Sequence, residues 1–142
     1  MVRWCCGANP TFAAGTFTFT TGATLPTVDP SWHVKGMQDI SGNLRADIVF
    51  QHDSGAVAIW EMFGGTTITA MNLVNLNPGP AWHIVGLRDM NKDGAADIVF
   101  QNDNGAAAIW EDYVSLGGGL ATFTPLAITP NPNPNGHVWD LL

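Results

Sequence analysis

The chain has 142 residues, 46 % of them hydrophobic and only 12 % charged, with 16 Gly and 9 Pro. That is apolar material for one packed domain with many turns and little helix, and it excludes a wholly disordered chain. Twelve acids against five bases give a net charge of −7, which argues against nucleic acid and anionic membrane surfaces as partners, because both attract clustered Lys and Arg. In chain order, Cys5 and Cys6 come first. Being adjacent, they cannot build a disulfide framework or a zinc knuckle, and two free thiols are expected. No charged leader followed by an apolar run is visible, so no signal peptide is read, and no stretch approaches the ~18 apolar residues of a membrane span. Residues 15–20, Gly-Thr-Phe-Thr-Phe-Thr, alternate as an outer strand does.

An internal repeat then dominates. Residues 32–62 and 82–112 align without a gap, fifty positions apart, and are identical at 17 of 31 positions. A period near fifty excludes short solenoid repeats and fits a β-propeller blade of four antiparallel strands. The expected strands are 32–37 and 82–87, 46–50 and 96–100, 56–60 and 106–110, and 66–69 and 121–124. The second of each set is a run of Ala-Asp-Ile-Val-Phe, apolar on both faces as in a covered strand. Turns with Ser-Gly or Asn-Gly follow, where positive φ is tolerated. Alanines in the third strand suit a tight approach of neighbouring sheets, and the Thr-rich fourth strand suits an exposed outer edge. The fold class expected is therefore all-β. Its units are a partial blade and linker at 1–31, blades at 32–81 and 82–131, and the start of a further blade at 132–142. Such a chain is expected to be part of a longer repeat protein or to assemble with copies of itself through open blade edges.

The chemistry lies between the first and second strands. Residues 89–97 read D-x-N-x-D-G-x-x-D: Asp89, Asn91, Asp93 and Asp97 put hard oxygens at alternate positions, Ala95 offers a carbonyl, and Gly94 permits the turn. This copies the first nine positions of a calcium loop, and three carboxylates so close repel one another without a cation. Position 12 is Phe100, so no distal bidentate Glu is in register. In repeat one, Asp39, Ser41, Asn43, Arg45 (carbonyl) and Asp47 occupy the same places. Two carboxylates replace three, Leu44 replaces the Gly, and weak or absent binding is expected there, with hydrogen bonds from Ser41 and Asn43 doing the cation's work. His33 and His83 recur with the repeat, as do Trp32, Trp60, Trp82 and Trp110; packing between blades is the first expectation for all six. A sharper reading puts a sugar between blades, stacked on Trp32 or Trp82 and hydrogen-bonded by Gln51, Gln101, Asn102 and Asp103. No nucleophile–base motif or phosphate-cradling loop occurs, and Glu61 and Glu111 read as polar strand ends, so no enzyme is expected.

The pattern W-H-x-x-G-x-x-D-x-N-x-D-G-x-x-D-I-V-F-Q-N-D-N-G-x-x-A-I-W-E resembles the FG-GAP/VCBS-type repeats found in tandem in large bacterial exported proteins, strongly over 32–112. The resemblance implies propeller blades like those of integrin α-subunit heads, with Ca²⁺ in the Asp-rich loop. It also implies an extracellular or cell-surface setting, and a role in adhesion or in binding a cell-surface or glycan ligand. It carries the ligand role onto Asp89, Asn91, Asp93, Ala95 and Asp97.

Overall fold

The computed structural model describes residues 25–65 and 67–128. The readings at Cys5, Cys6, 15–20, Thr66 and 132–142 lie outside them. The described residues form eight strands and no helix: β1 Trp32–Gln38, β2 Asp47–His52, β3 Val57–Met62, β4 Ile68–Val74, β5 Trp82–Arg88, β6 Asp97–Asn102, β7 Ala107–Gly117 and β8 Leu120–Ala127. Each repeat is a four-stranded antiparallel meander, with the same register in its first two hairpins and a shifted one in the third. Trp32 opposes His52 and Trp82 opposes Asn102, and both first hairpins carry an irregularity just before a glycine, Gly36 or Gly86. The turns after β2 and β6 close on His52 and Asn102, with Gly55 (φ 92°) and Gly105 (φ 89°) in the left-handed region.

The fourth strands depart from expectation. They are not free outer edges: β4 pairs with β8 in parallel through Leu73–Leu120 and Val74–Ala121, so all eight strands form one sheet in the order β1-β2-β3-β4-β8-β7-β6-β5. The Thr-rich alternation read in the fourth strands gave no sign of this, but Val74 and Ala121 at the join are buried. The terminal strands β1 and β5 lie against each other without ladder hydrogen bonds, which makes the sheet barrel-like and nearly closed. Repeat two also differs in length. Its β7 runs eleven residues against six in β3, through an irregularity at which Asp112 adopts φ 54°.

The main core is asymmetric in a useful way. Repeat one contributes Ile40, Val49, Val57 and Ile59, and repeat two contributes Ile84, Leu87, Ile98, Phe100 and Trp110. Strand alternation puts Val49 and Ile59 on one face of their meander, and the equivalents of Ile98, Phe100 and Trp110 on the other. Opposite faces of two similar units are thus packed together, each fully buried Ile, Val or Phe stabilising the fold by about 1.5–3 kcal/mol. The other face of repeat one, Ile48, Phe50, Trp60 and Met62, forms a second cluster. Phe50–Trp60 and Phe100–Trp110 stack at 4.7 and 4.6 Å, both tilted by 52°. Trp60 packs within its own repeat rather than between units, whereas Trp110, stacked on Phe100 and Phe123 of its own repeat, joins the core shared by both.

Candidate functional site

In each repeat the first hairpin ends on a pair, Gln38–Asp47 or Arg88–Asp97, so the residues between must loop out. Both loops use two left-handed residues, Gly42 (φ 73°) and Leu44 (φ 65°) in one, Lys92 (φ 66°) and Gly94 (φ 93°) in the other. Each has one glycine and one strained non-glycine, at exchanged places. The first aspartate is the hub. Asp39 accepts from the N–H groups of Asn43 (3.0 Å) and Leu44 (2.6 Å), and Asp89 from those of Lys92 (2.6 Å), Asp93 (3.2 Å) and Gly94 (3.0 Å). The missing glycine at Leu44 therefore does not change the loop.

The last aspartates are buried and less alike. Asp47 Oδ2 accepts from Ile40 N–H (3.0 Å) and Ser41 N–H (2.9 Å), and its Oδ1 from Met62 N–H (3.0 Å). Asp97 Oδ2 accepts from Met90 N–H at 2.7 Å and the carboxylate also has the Asn91 N–H as a partner, but Asp112, standing where Met62 stands, adopts a left-handed conformation and makes no matching bond. Burial pushes the Asp97 carboxyl above the usual carboxylate range, against the Met90 and Asn91 N–H groups that favour its charge, and the charges of Asp93 and Asp89 add to the rise. Glu111 is raised too, by burial and then by Asp97, Asp112 and Asp93. Negative charge is concentrated around this loop.

The remaining proposed ligands are brought into one loop but turned onto it. Asn91 Oδ1 accepts from Asp93 N–H (3.0 Å), Asn91 Nδ2 donates to Asp93 Oδ2 (2.9 Å), and Asp93 Oδ1 accepts from Ala95 N–H (2.8 Å). Among the described residues no three His, Cys, Asp or Glu side chains converge on a point that would hold an ion. The expected common point is not assembled in this arrangement. The donor chemistry nevertheless suits a hard cation: Asp89 Oδ2 and both Asp93 oxygens accept one hydrogen bond each, leaving lone pairs open. In repeat one, Asn43 Oδ1 accepts from Arg45 N–H (2.8 Å), while Ser41 Oγ is the one buried side-chain polar atom without a partner among the described residues. Backbone N–H groups close this loop; the Ser41 hydroxyl expected to help does not.

The sugar-site residues are mostly committed elsewhere. The Gln51 carboxamide bridges the repeats, donating to Trp82 O (2.7 Å) and accepting from Ile84 N–H (3.0 Å), and so caps the free edge of β5 as a neighbouring strand would. Asn102 Oδ1 accepts from Asn104 N–H. His33 and His83 are half-exposed at the cleft between the repeats; each meets an aspartate of its own repeat, Asp53 at 2.8 Å and Asp103 at 2.7 Å. The polar cleft between the repeats, lined by Gln51, Trp82 and His83, is about 100 Å³, below the several hundred Å³ of ordinary small-molecule sites. Trp32 and Trp82 instead line similarly placed apolar pockets, about 290 Å³ beside Phe50, Ala58 and Trp60 and about 390 Å³ beside Phe100, Ala108 and Trp110.

Sequence reasoning missed one polar cluster. Tyr113 O–H donates to Glu61 Oε1 (2.7 Å), and Asn72 Nδ2 reaches Glu61 Oε1 (2.9 Å) and the Tyr113 hydroxyl (2.7 Å). It joins β3, β4 and β7, and burial together with the Glu61 acceptor raises the Tyr113 phenol far above its ordinary value. Tyr113 falls in the extension of β7 with no counterpart in repeat one, so no repeat signal pointed to it. No protein-family model matches the chain, and comparisons with curated proteins and with solved structures find nothing similar to it.

Proposed function

We propose that the chain is a calcium-stabilised repeat module, built from propeller-type blades, with a structural or adhesive role in an exported protein. The observation that carries this reading is Asp97: a buried carboxylate beside Asp89 and Asp93, with one backbone donor fewer than Asp47 and a raised proton affinity. Buried charge calls for a partner, and a divalent ion held by Asp89, Asn91, Asp93, the Ala95 carbonyl and Asp97 would supply it. Ion binding here is structural. It stabilises the folded chain by RT ln(1 + [Ca]/Kd), about 1.4 kcal/mol at ten times Kd, and millimolar extracellular calcium would fill even a site with Kd of ~10⁻⁴ M. The head-to-tail packing of two four-stranded meanders favours blades as the architecture.

Thermal melts in calcium and in chelator test this. The midpoint is expected to rise with calcium, and Asp93→Ala is expected to abolish the rise; an unchanged midpoint in the native chain overturns the reading. Protons compete with the ion, so the calcium effect is expected to shrink as the pH falls towards the carboxylate range. A second reading, a glycan-binding module, is favoured by the repeated pockets, where an indole face would stack on the apolar face of a sugar ring. Quenching of Trp fluorescence by simple sugars tests it, and a silent titration removes it.

A further inference from the structure

We propose that this chain associates with a second copy of itself head to tail, by repeating between molecules the contact that joins its own two repeats. That internal contact has a plug and a socket. The plug is on β5, where Ile84 and Leu87 are only 7 % and 9 % exposed. The socket is on repeat one, where Val49 and Ile59 are fully buried and Gly36 makes room. A Cβ on Gly36 would come within 2.8 Å of Leu87 Cδ1. Two backbone features fix the alignment: Ala96 N–H donates to Asp39 O at 2.6 Å, and any Cβ on Gly55 would strike the backbone of Gly79.

Because the contact joins unlike faces, it uses the plug of repeat two and the socket of repeat one, and no described residue is set into the other pair in the same way. On β1 the plug positions are Val34 and Met37, and these apolar side chains are 58 % and 64 % exposed. On repeat two the socket positions are Val99 and Ile109, which stay partly exposed and line an open groove of about 530 Å³ with Gly86 and Met90. A Cβ on Gly86 would meet nothing within 4 Å. Among the described residues one chain therefore carries an exposed plug and an open socket, equivalent by repeat to the pair that fits together inside it. The occupant is a second copy because the matching surface lies on this same sequence. Such a heterologous contact propagates into a ring or a filament according to whether its rotation closes.

Sedimentation of the 142-residue chain, from micromolar to about 0.1 mM, decides the matter. Multiples of 15.1 kDa that grow with concentration are expected. Met37→Glu spoils the plug and Gly86→Glu the socket. Both positions face open space, so each variant is expected to keep the native near-ultraviolet circular dichroism and to sediment as a monomer. An equimolar mixture of the two variants retains one good plug and one good socket and is expected to give dimers and nothing larger. A native chain that stays monomeric overturns the proposal. So does assembly untouched by either variant, or a mixture that fails to dimerise.

Discussion

The loops at 39–47 and 89–97 share a backbone and differ in charge. In both, the first aspartate gathers the N–H groups of the turn, and the last is buried and receives an N–H from the residue following the first. In repeat one that scheme closes: Asp47 has three donors, only two carboxylates are present, and the Arg45 guanidinium lies 4.0 Å over the Phe63 ring. In repeat two a third carboxylate, Asp93, joins, the Met62-type donor is lost, and Glu111 and Asp112 add to the field. Aspartates one and nine thus set the shape, and the residues between and beside them set the electrostatics. Loop shape does not require a cation; what sets the second loop apart is its concentration of negative charge.

Substitutions break the comparison most sharply at the ninth position. Asp47→Ala leaves three N–H groups without their acceptor and is expected to cost about 3 kcal/mol or more. Asp97→Ala in chelator is expected to cost only about 1 kcal/mol, since fewer bonds are lost and like-charge repulsion is relieved. Denaturant midpoints read both, and equal losses would refute the asymmetry. The glycines of the first strands come next. Gly36→Leu collides with Leu87 and is expected to cost about 2 kcal/mol.

The polar cluster that only repeat two's extension provides is tested by alkaline titration. Tyr113 is the single tyrosine, so tyrosinate absorbance reports it alone. Its folded proton affinity is raised, so its contribution is fully present below the unfolded value near 10 and is lost as the pH rises through the folded one. Glu61→Gln, removing the charge that holds the phenolic proton, is expected to bring the titration down. The smallest effect expected is at Leu44, held at φ 65° with its side chain almost wholly exposed. Leu44→Gly is expected to stabilise the chain by about 1 kcal/mol by removing left-handed strain, and an unchanged or lower midpoint counts against that strain.

Much of this was legible in the residues. The repeat at fifty positions and the β-branched run around Asp47 and Asp97 announced four-stranded units, and the spacing of Asp89, Asn91, Asp93 and Asp97 singled out the loop, because strand alternation and turn chemistry are local. The bonds of Gln51 were not legible for a physical reason: an amide can bond a sugar or a strand edge equally well, and only the position of β5 shows the edge it meets. The partners of His33 and His83 were hidden likewise, since their aspartates lie twenty residues away across a hairpin.

By itself the sequence determined the all-β character, the two equivalent meanders and the aspartate hubs, since each depends on neighbours a few residues apart. Tertiary structure decided the parallel join of β4 to β8, the commitment of Gln51 to β5, and the loss of the third donor to Asp97. It also decided which of two nearly identical faces is covered. Those outcomes depend on how one unit is set against the other, and a repeat that is locally the same twice carries no local signal of which copy will be plug and which socket.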